Sequence, residues 1–342
     1  MMTGRRRFLL ITALLALLLA IGILTATAMG YIAINGLDVA RIIRARLTGQ
    51  LPVAGLEPML SLVVLEVRLP RILTAVAVGG GLAVAGVVFQ GILHNPLADP
   101  YTLGISSGAA FGASLALLLE ISLFGSYSVP LFAFAGALAT LAAVLYLASF
   151  DGQMRSDTMI LAGVIVGAIL AAGISFMKYQ ADEQVSVIIF WLMGSFASRS
   201  WQHVAAAGLA AALGFLVVLA YGRDLDILTL GDRSATSLGV EANRVRRTLL
   251  ITASLVAAVC VSVSGIIGFV GLIVPHLMRF LVGPGNRRLA AASFLAGGVL
   301  LLAADTVSRT ALPREVPVGV LTALLGGPLF CYIFRRRRGG WL

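Results

Sequence analysis

The sequence predicts an all-α polytopic membrane protein with ten transmembrane helices per subunit, arranged as an inverted five-helix repeat. Three observations predict this fold. Hydrophobic residues make up 59% of the 342 residues and charged residues only 12%, with a mean hydropathy of +1.00, which is typical of a chain surrounded by lipid. The apolar residues fall into runs of about 20, the length that a bilayer requires. A short internal similarity is the third observation.

Nine apolar runs give the ten predicted spans. Eight of the runs each have about the length of one transmembrane helix. They lie at 8–34, 72–93, 101–119, 128–150, 158–177, 203–222, 289–304 and 316–334. The ninth, 248–282, would extend about 52 Å as a single helix, well beyond a hydrocarbon core of about 30 Å. The SGIIG sequence at 264–268 offers a break, so this run is predicted to form two spans. The whole chain, 1–342, is predicted to be one transmembrane domain.

Positive charges predict which side is cytoplasmic. An even number of spans puts both termini on one side, and an inward N-terminus leaves most of the 25 basic residues in cytoplasmic segments. These are Arg5, Arg6, Arg7, Arg155, Arg223, Arg233, Arg244, Arg246, Arg247, Arg279, Arg287, Arg288 and Arg335 to Arg338. An alternative is a cleavable signal peptide ending at Ala26-Thr27-Ala28, which would leave an odd number of spans.

An internal similarity predicts the inverted repeat. The sequence AVAGVVFQGILHNP (83–96) aligns with SVSGIIGFVGLIVP (262–275), which places Pro96 over Pro275. The first copy ends the second span and the second copy ends the seventh, so the repeating unit has five spans. Because five is odd, the two halves have opposite orientations in the membrane, a plan common among transporters.

Regularly spaced glycines predict close helix packing. Small residues four apart let helix backbones approach each other in a membrane. The third span carries Gly104, Gly108 and Gly112, and the fifth carries Gly163 and Gly167. We expect these five glycines to lie at helix contacts.

Several functional classes are excluded by what the sequence lacks. It has no GxxxxGK[ST] motif, and its one lysine, Lys178, follows a methionine, so the chain cannot hydrolyse ATP by itself and is not predicted to be an enzyme. The histidines are scattered singly and the two cysteines lie in apolar runs, so no metal or cofactor site is predicted. The basic residues flank apolar runs without an aromatic-rich basic face, so no nucleic-acid partner is expected.

The acidic residues lie near span ends or in loops, which argues against an ion-coupled carrier. Energy would then come from a partner protein. The longest cytoplasmic loop, 223–247, is a candidate docking element for such a partner. Within it, Asp232 is predicted to cap a short helix that continues through Ser237 and ends at Gly239.

Separated sequence blocks resemble one known family. RLPR (68–71), NPLADPYTLGISSG (95–108), LGDRSATSLGV (230–240), SGIIGFVGLIVPHLMR (264–279) and LPREVPVGVLTALLGGPLF (312–330) follow one another in the order of the FecCD family. That family comprises the permease subunits of ATP-binding-cassette (ABC) importers for iron-siderophores, haem and cobalamin. The resemblance covers residues 66–334.

The resemblance implies partners and a location. It implies a bacterial cytoplasmic membrane protein with both termini cytoplasmic, paired as a homodimer or with a sister permease. Two cytoplasmic ATPase subunits would bind ATP and Mg²⁺, and an extracytoplasmic binding protein would deliver the substrate. A secondary carrier or channel that acts without an ATPase is the alternative, and within the family so is a molybdate or tungstate importer.

The resemblance also implies residue roles. The arginines that meet glutamates of the binding protein match Arg68, Arg71 and Arg309, with Arg314 as a substitute for Arg309. The cytoplasmic gate matches Asn95, Leu97, Ser156 and Asp157, where the last two depart from an uncharged hydroxyl pair. The helix that couples the permease to the ATPase matches Leu230, Gly231, Asp232, Arg233, Leu238 and Gly239.

Overall fold

The computed structural model describes residues 4–30, 34–50, 53, 55–149, 155–311 and 314–336, and the regular elements within these ranges are all helical. The predicted tail residues Arg337 and Arg338 lie outside the described residues. The helices are α1 Gly4–Ala28, α2 Gly36–Thr48, α3 Pro58–Leu62, α4 Leu69–Ile92, α5 Ile105–Leu118, α6 Ser128–Ala148, α7 Ser156–Gln180, α8 Val185–Leu192, α9 Trp201–Leu228, α10 Asp232–Ser237, α11 Ala242–Ser264, α12 Val270–Val282, α13 Asn286–Thr310 and α14 Val318–Arg336. A π-helical segment, Val63–Arg68, joins α3 to α4 without interruption.

The predicted all-helical, polytopic fold is confirmed. Seven helical segments in the described part of the chain are long and apolar enough to cross a membrane, with α3, the π-helical segment and α4 acting as one of them. The shorter apolar helices α5, α12 and α14 bring the number of spans to ten. The predicted break in the long apolar run is confirmed as well, because α11 ends at Ser264 and α12 begins at Val270.

Helices α2 and α8 were missed by the sequence prediction, and the second span, predicted from residue 72, begins at Pro58 with α3. Helix α2 is amphipathic and buries Val39, Ile42 and Ala45 while its arginines face outward. A search for long apolar runs cannot detect it, although its apolar residues follow helical spacing. Helix α8 has only eight residues, too few to cross a membrane, and it lies between the fifth and sixth spans.

Helix α4 forms the centre of the bundle. It is buried at 22 of its 24 residues and packs against α9, α11, α12 and α13. Glycines permit these approaches: a Cβ built at Gly79 would overlap the carbonyl of Gly297, and one built at Gly86 would overlap the carbonyl of Gly271. The glycine-rich middle of α4 is therefore a site of tight helix crossing.

The inverted arrangement is visible in the helix contacts. Helix α4, the second span of the first half, packs against α12 and α13, while α11, the second span of the second half, packs against α5 and α6. The predicted register is wrong, because Pro96 lies in the turn after α4 whereas Pro275 lies inside α12. The residues at equivalent places are Gly104 and Phe269, which both adopt positive φ angles immediately before α5 and α12. Similar runs of small residues had produced the shifted alignment.

Three of the predicted packing glycines lie at backbone contacts. A Cβ at Gly108 would overlap the carbonyl of Gly136. A Cβ at Gly112 would overlap a carbonyl of α6, and one at Gly163 would overlap a carbonyl of the turn before α5. Gly104 instead precedes α5 with a φ of 71°, a conformation that favours glycine. Gly167 has only ordinary contacts, with Ser107 Oγ 3.7 Å from a built Cβ.

The break between α11 and α12 is held by backbone hydrogen bonds from distant segments. Ser195 N donates to Ser264 O at 2.8 Å, and Val318 N at the start of α14 donates to Gly194 O at 3.0 Å. Gly194 and Gly265 both have positive φ, near 70°. Backbone groups of the protein thus pair with the end of α11 and with the turn after α8, where helical hydrogen bonds stop. We call these contacts the backbone junction.

The two ends of the bundle can be told apart. At one end Arg7 donates to Phe280 O, so α1 begins where α12 ends. At the other end Arg309 donates to Met29 O and Trp201 Nε1 donates to Leu65 O. Following the predicted orientation, we call the end with Arg7 the inner end and the end with Trp201 the outer end.

The crossing of α4 and α12 yields a prediction. We expect Gly86→Ala to lower the free energy of unfolding by about 1–3 kcal/mol, because the new methyl group would force the two helices apart. Gly208→Ala on α9 is the control, since a Cβ there meets no atom within 4 Å. Thermal melts of the detergent-solubilised protein measure both. Equal melting temperatures for the two variants would contradict the proposed crossing.

Candidate functional site

The chain between α4 and α5, residues 93–104, forms a rigid turn at the inner end. Asn95 Oδ1 accepts a hydrogen bond from Leu97 N at 2.9 Å, and Asn95 O accepts one from Ala98 N at 3.0 Å. Prolines 96 and 100 restrict the backbone further. Leu97 remains 39% exposed, so the turn presents an apolar side chain from a fixed backbone.

Asp99 organises the second part of this turn. One of its carboxylate oxygens accepts hydrogen bonds from Tyr101 N, Thr102 N and Thr102 Oγ1, and Asp99 N donates to Thr102 Oγ1. The side chain is buried, and this burial raises the pKa of its carboxyl group to about 6. The site prediction did not include Asp99, although an Asp three residues before a Thr is a common turn pattern.

The other two predicted gate residues begin α7. Ser156 Oγ donates to Ile92 O at 3.2 Å, which fixes the start of α7 to the end of α4. Asp157 is exposed. Ser156, Asp157 and His94 line one inner-end cavity of about 940 Å³. The structure therefore brings Ser156 and Asp157 beside the turn that holds Asn95 and Leu97.

The same cavity reaches the predicted coupling helix, α10. The predicted capping role of Asp232 is wrong: Gly231 occupies the N-cap position with a φ of 97°, and Asp232 is the first helical residue. Its carboxylate instead pairs with Arg246 of α11 at 2.6 and 3.3 Å. Arg246 is buried, so this ion pair fixes α10 to a transmembrane helix.

Apart from this anchor, α10 faces outward from the bundle. Ala235 is its one buried residue. The flanking residues Leu230 and Leu238 are 66% and 61% exposed, and the predicted residues Arg233 and Gly239 are exposed too. An exposed short helix with a leucine at either end is suited to docking into a groove of another protein.

One contact joins the gate turn to the approach to α10. His94 Nε2 lies 3.0 Å from Leu228 O, the last residue of α9, so its N–H can donate to that carbonyl. Sequence reasoning treated His94 as an isolated structural histidine and could not find this pair, because 134 residues separate the two. Through His94, the turn after α4 and the segment before α10 form one connected unit.

The structure gathers the three predicted docking arginines at the outer end, where acidic residues neutralise the central one. Arg71 Nε donates to Asp305 Oδ1 at 2.9 Å, and its two Nη atoms donate to Glu315 at 3.0 and 2.9 Å. Asp305 is completely buried and Glu315 is half exposed. Sequence reasoning saw both acids but could not pair them with an arginine more than 230 residues away.

Arg309 and Arg68 are also engaged by the protein itself. Arg309 Nε lies 3.2 Å from Asp305, and its Nη atoms donate to the carbonyls of Met29 and Ala26. Arg68 donates to carbonyls at the end of α1, the nearer at 2.8 Å. The three guanidinium groups are thus close together but buried, while Arg314 nearby is exposed.

No group of three or more His, Cys, Asp or Glu residues that could hold a metal ion occurs among the described residues.

The buried carboxyl group of Asp99 yields a pH prediction. Because its pKa in the folded protein is raised above the ordinary 3.8, the stability it contributes is present below pH 3.8 and is lost as the pH rises through about 6. Between pH 4 and 6, we expect wild-type stability to fall relative to Asp99→Asn by on the order of 1 kcal/mol per pH unit. Thermal melts across this range measure it, with the exposed Asp157→Asn as control. Parallel pH profiles for wild type and Asp99→Asn would be the opposite result.

Comparison with known proteins agrees with this architecture. The model of the FecCD transport family matches residues 16–336. The cobalamin import system permease protein BtuC of Halobacterium salinarum is 43% identical over 284 residues, which are 83% of this chain and 76% of that protein. The molybdate import system permease protein MolB of Haemophilus influenzae is 38% identical over 331 residues, 95% and 96% of the two chains. A solved metal-chelate type ABC transporter in an inward-facing conformation matches with a TM-score of 0.83 and 35% identity, over 95% of this chain and 99% of that one. The chain therefore belongs to the FecCD family of ABC transporter permeases.

Proposed function

We propose that this chain is the permease subunit of an importer that carries an iron chelate (a siderophore complex or haem) or cobalamin to the cytoplasm, driven by a separate ATPase. The observation that carries the proposal is α10, a surface helix with exposed leucines that is fixed to the bundle by the Asp232–Arg246 pair. The exposure of α10 is an observation of this structure, separate from membership of the family. Its position at the inner end is where a cytoplasmic ATPase would bind.

The geometry supports a mechanism for coupling. Two ATPase subunits, each holding ATP and Mg²⁺, would move α10 when they close, and the ion pair between Asp232 and the buried Arg246 would pass this motion to α11. The contact between His94 and Leu228 O would carry it to the gate turn with Leu97. Rigid elements that move together in this way are a common form of switching.

A second cargo is favoured by one comparison. The molybdate permease of Haemophilus influenzae matches over almost the whole of both chains. Import of molybdate or tungstate is therefore the second candidate.

Affinity for the cargo would reside in an extracytoplasmic binding protein, which would dock at the outer end of a dimer of two permease chains in the cytoplasmic membrane.

Transport by the reconstituted importer tests the function. The permease, its ATPase and its binding protein are incorporated into proteoliposomes, and uptake of labelled ferric siderophore, haem, cobalamin and molybdate is measured. ATP-dependent accumulation of one of the first three supports the main proposal, and accumulation of molybdate supports the second. Uptake without the ATPase would favour a secondary carrier or channel.

The glycines around α10 yield a prediction about coupling. Gly231 and Gly239 have φ angles of 97° and 79°, which proline cannot adopt. We expect the double replacement by proline to reduce transport at least tenfold while ATP hydrolysis continues. Gly285→Pro is the control, because this inner-end residue already has a φ of −62°. Normal transport by the double variant would refute a coupling role for α10.

The Arg71–Glu315 pair yields a sharper test of docking than a change of Arg71 itself. Arg71→Glu would place three acids together in a buried site and would destabilise the fold. Glu315→Gln instead removes the carboxylate that pairs with both Nη atoms of Arg71, while one Nη stays 2.9 Å from the buried Asp305. The outer end gains one net positive charge, so if Arg71 takes part in docking we expect the binding protein to associate with the permease several times faster. Surface plasmon resonance with the permease in nanodiscs measures this rate, with the exposed Glu57→Gln as control. An unchanged rate would remove Arg71 from the docking surface.

A further inference from the structure

A fourth arginine at the outer end differs from the three described above. Arg199 lies in the connection between α8 and α9, where one Nη donates to Ser195 O at 3.4 Å. Its Nε is enclosed by the protein and has no hydrogen-bond partner. Within the described part of the chain, no carboxylate lies within 4.0 Å of its guanidinium group.

This arrangement is costly unless an anion completes it. A partly enclosed charge loses its hydration, and arginine does not discharge at physiological pH, so the loss has to be compensated by a partner. Burial lowers the pKa of Arg199, and the positive charge of Arg71 lowers it further. Asp305 and Glu315 neutralise Arg71, whereas no carboxylate of the described residues forms an ion pair with Arg199.

Arg199 faces a cavity that has room for such an anion. The cavity has a volume of about 560 Å³, which lies in the range of small-molecule sites. Tyr127 and Trp201 contribute aromatic walls, and Ser198 and Gln202 contribute polar side chains. The indole N–H of Trp201 is already bonded to Leu65 O, and Arg199 is the one arginine or lysine among the residues described as lining the cavity.

The charges in the cavity indicate the class of ligand. Glu66 lines the cavity as well, so a strongly charged anion such as a phosphate would meet repulsion. One carboxylate matches one guanidinium fork in charge and shape. We propose that the cavity around Arg199 is a carboxylate-binding site, which lies on the extracytoplasmic side if the orientation in the proposed function holds. The carboxylate could belong to a small organic acid or to an acidic side chain of a docked protein.

Binding of butyrate tests the site without the ATPase. The full-length permease is melted in detergent at increasing butyrate, with chloride of equal ionic strength as reference. We expect a saturable rise of the melting temperature for the wild type, at least tenfold weaker binding for Arg199→Gln, and an intermediate affinity for Arg199→Lys, which keeps the charge but loses the fork. Arg41→Gln, on the exposed face of α2, is the control and should respond like the wild type.

A second measurement separates a ligand site from a purely structural arginine. In chloride alone, Arg199→Gln should melt at or above the wild-type temperature, because the substitution removes an uncompensated charge. Equal butyrate responses of wild type and Arg199→Gln, or none in the wild type, would overturn the proposal. If Arg199→Gln fails to fold, a wild-type response in Arg199→Lys overturns it as well. Because neither measurement involves transport, their failure is distinct from failure of the importer function.

The source of the carboxylate is found by competition. Association of the binding protein with the wild-type permease is measured with and without saturating butyrate. Slower association identifies an acidic side chain of the docked protein as the natural ligand, and an unchanged rate excludes that source and assigns the site to a small organic acid. Both results support the site.

Discussion

The close approach of α4 to its neighbours is the constraint on which the rest of the structure depends. A helix buried at 22 of 24 positions has to be surrounded on every side, and large side chains at its crossings would hold the surrounding helices apart. Glycines at 79 and 86 let the carbonyls of α13 and α12 come into contact with it instead. Because dispersion attraction and not the hydrophobic effect drives packing in lipid, the small separation itself supplies the stability. The ends of α4 are thereby fixed in space, and both candidate functional regions begin there.

These two regions differ in how they use charge. At the outer end, Asp305 and Glu315 neutralise a buried arginine, and the result is a rigid cluster that ties α4 to α13 and to the loop before α14. At the inner end, the Asp232–Arg246 pair anchors a helix whose other residues, apart from Ala235, remain exposed. The first arrangement stabilises the bundle, while the second holds a largely exposed helix in a fixed position. An ion pair with one buried member can therefore serve as a mechanical link as well as a stabilising contact.

How much of the structure could be predicted from the sequence depends on how far apart the interacting residues lie along the chain. Apolar length predicted the ten spans and the break after Ser264, because a bilayer imposes that length on each segment. Local chemistry predicted the turn at Asn95 and the short helix near Asp232, since both depend on neighbouring residues. The pairing of Arg71 with Asp305 could not be predicted, because nothing local distinguishes an arginine that meets a buried acid from one that meets solvent. The register of the repeat failed for a related reason: small residues recur in many membrane helices, so their similarity does not identify equivalent positions.

The backbone junction has a consequence for how the family diverges. The start of α14, the end of α8 and the break after α11 are joined through peptide groups, with Gly194 and Gly265 in conformations that side chains disfavour. A joint made of peptide groups does not depend on the identity of the side chains that project from the same helices. Mutations along those helices can therefore accumulate without loosening the joint. Relatives named for importers of cobalamin and of molybdate are 43% and 38% identical to this chain, and a joint made of peptide groups leaves the projecting side chains free to differ among them.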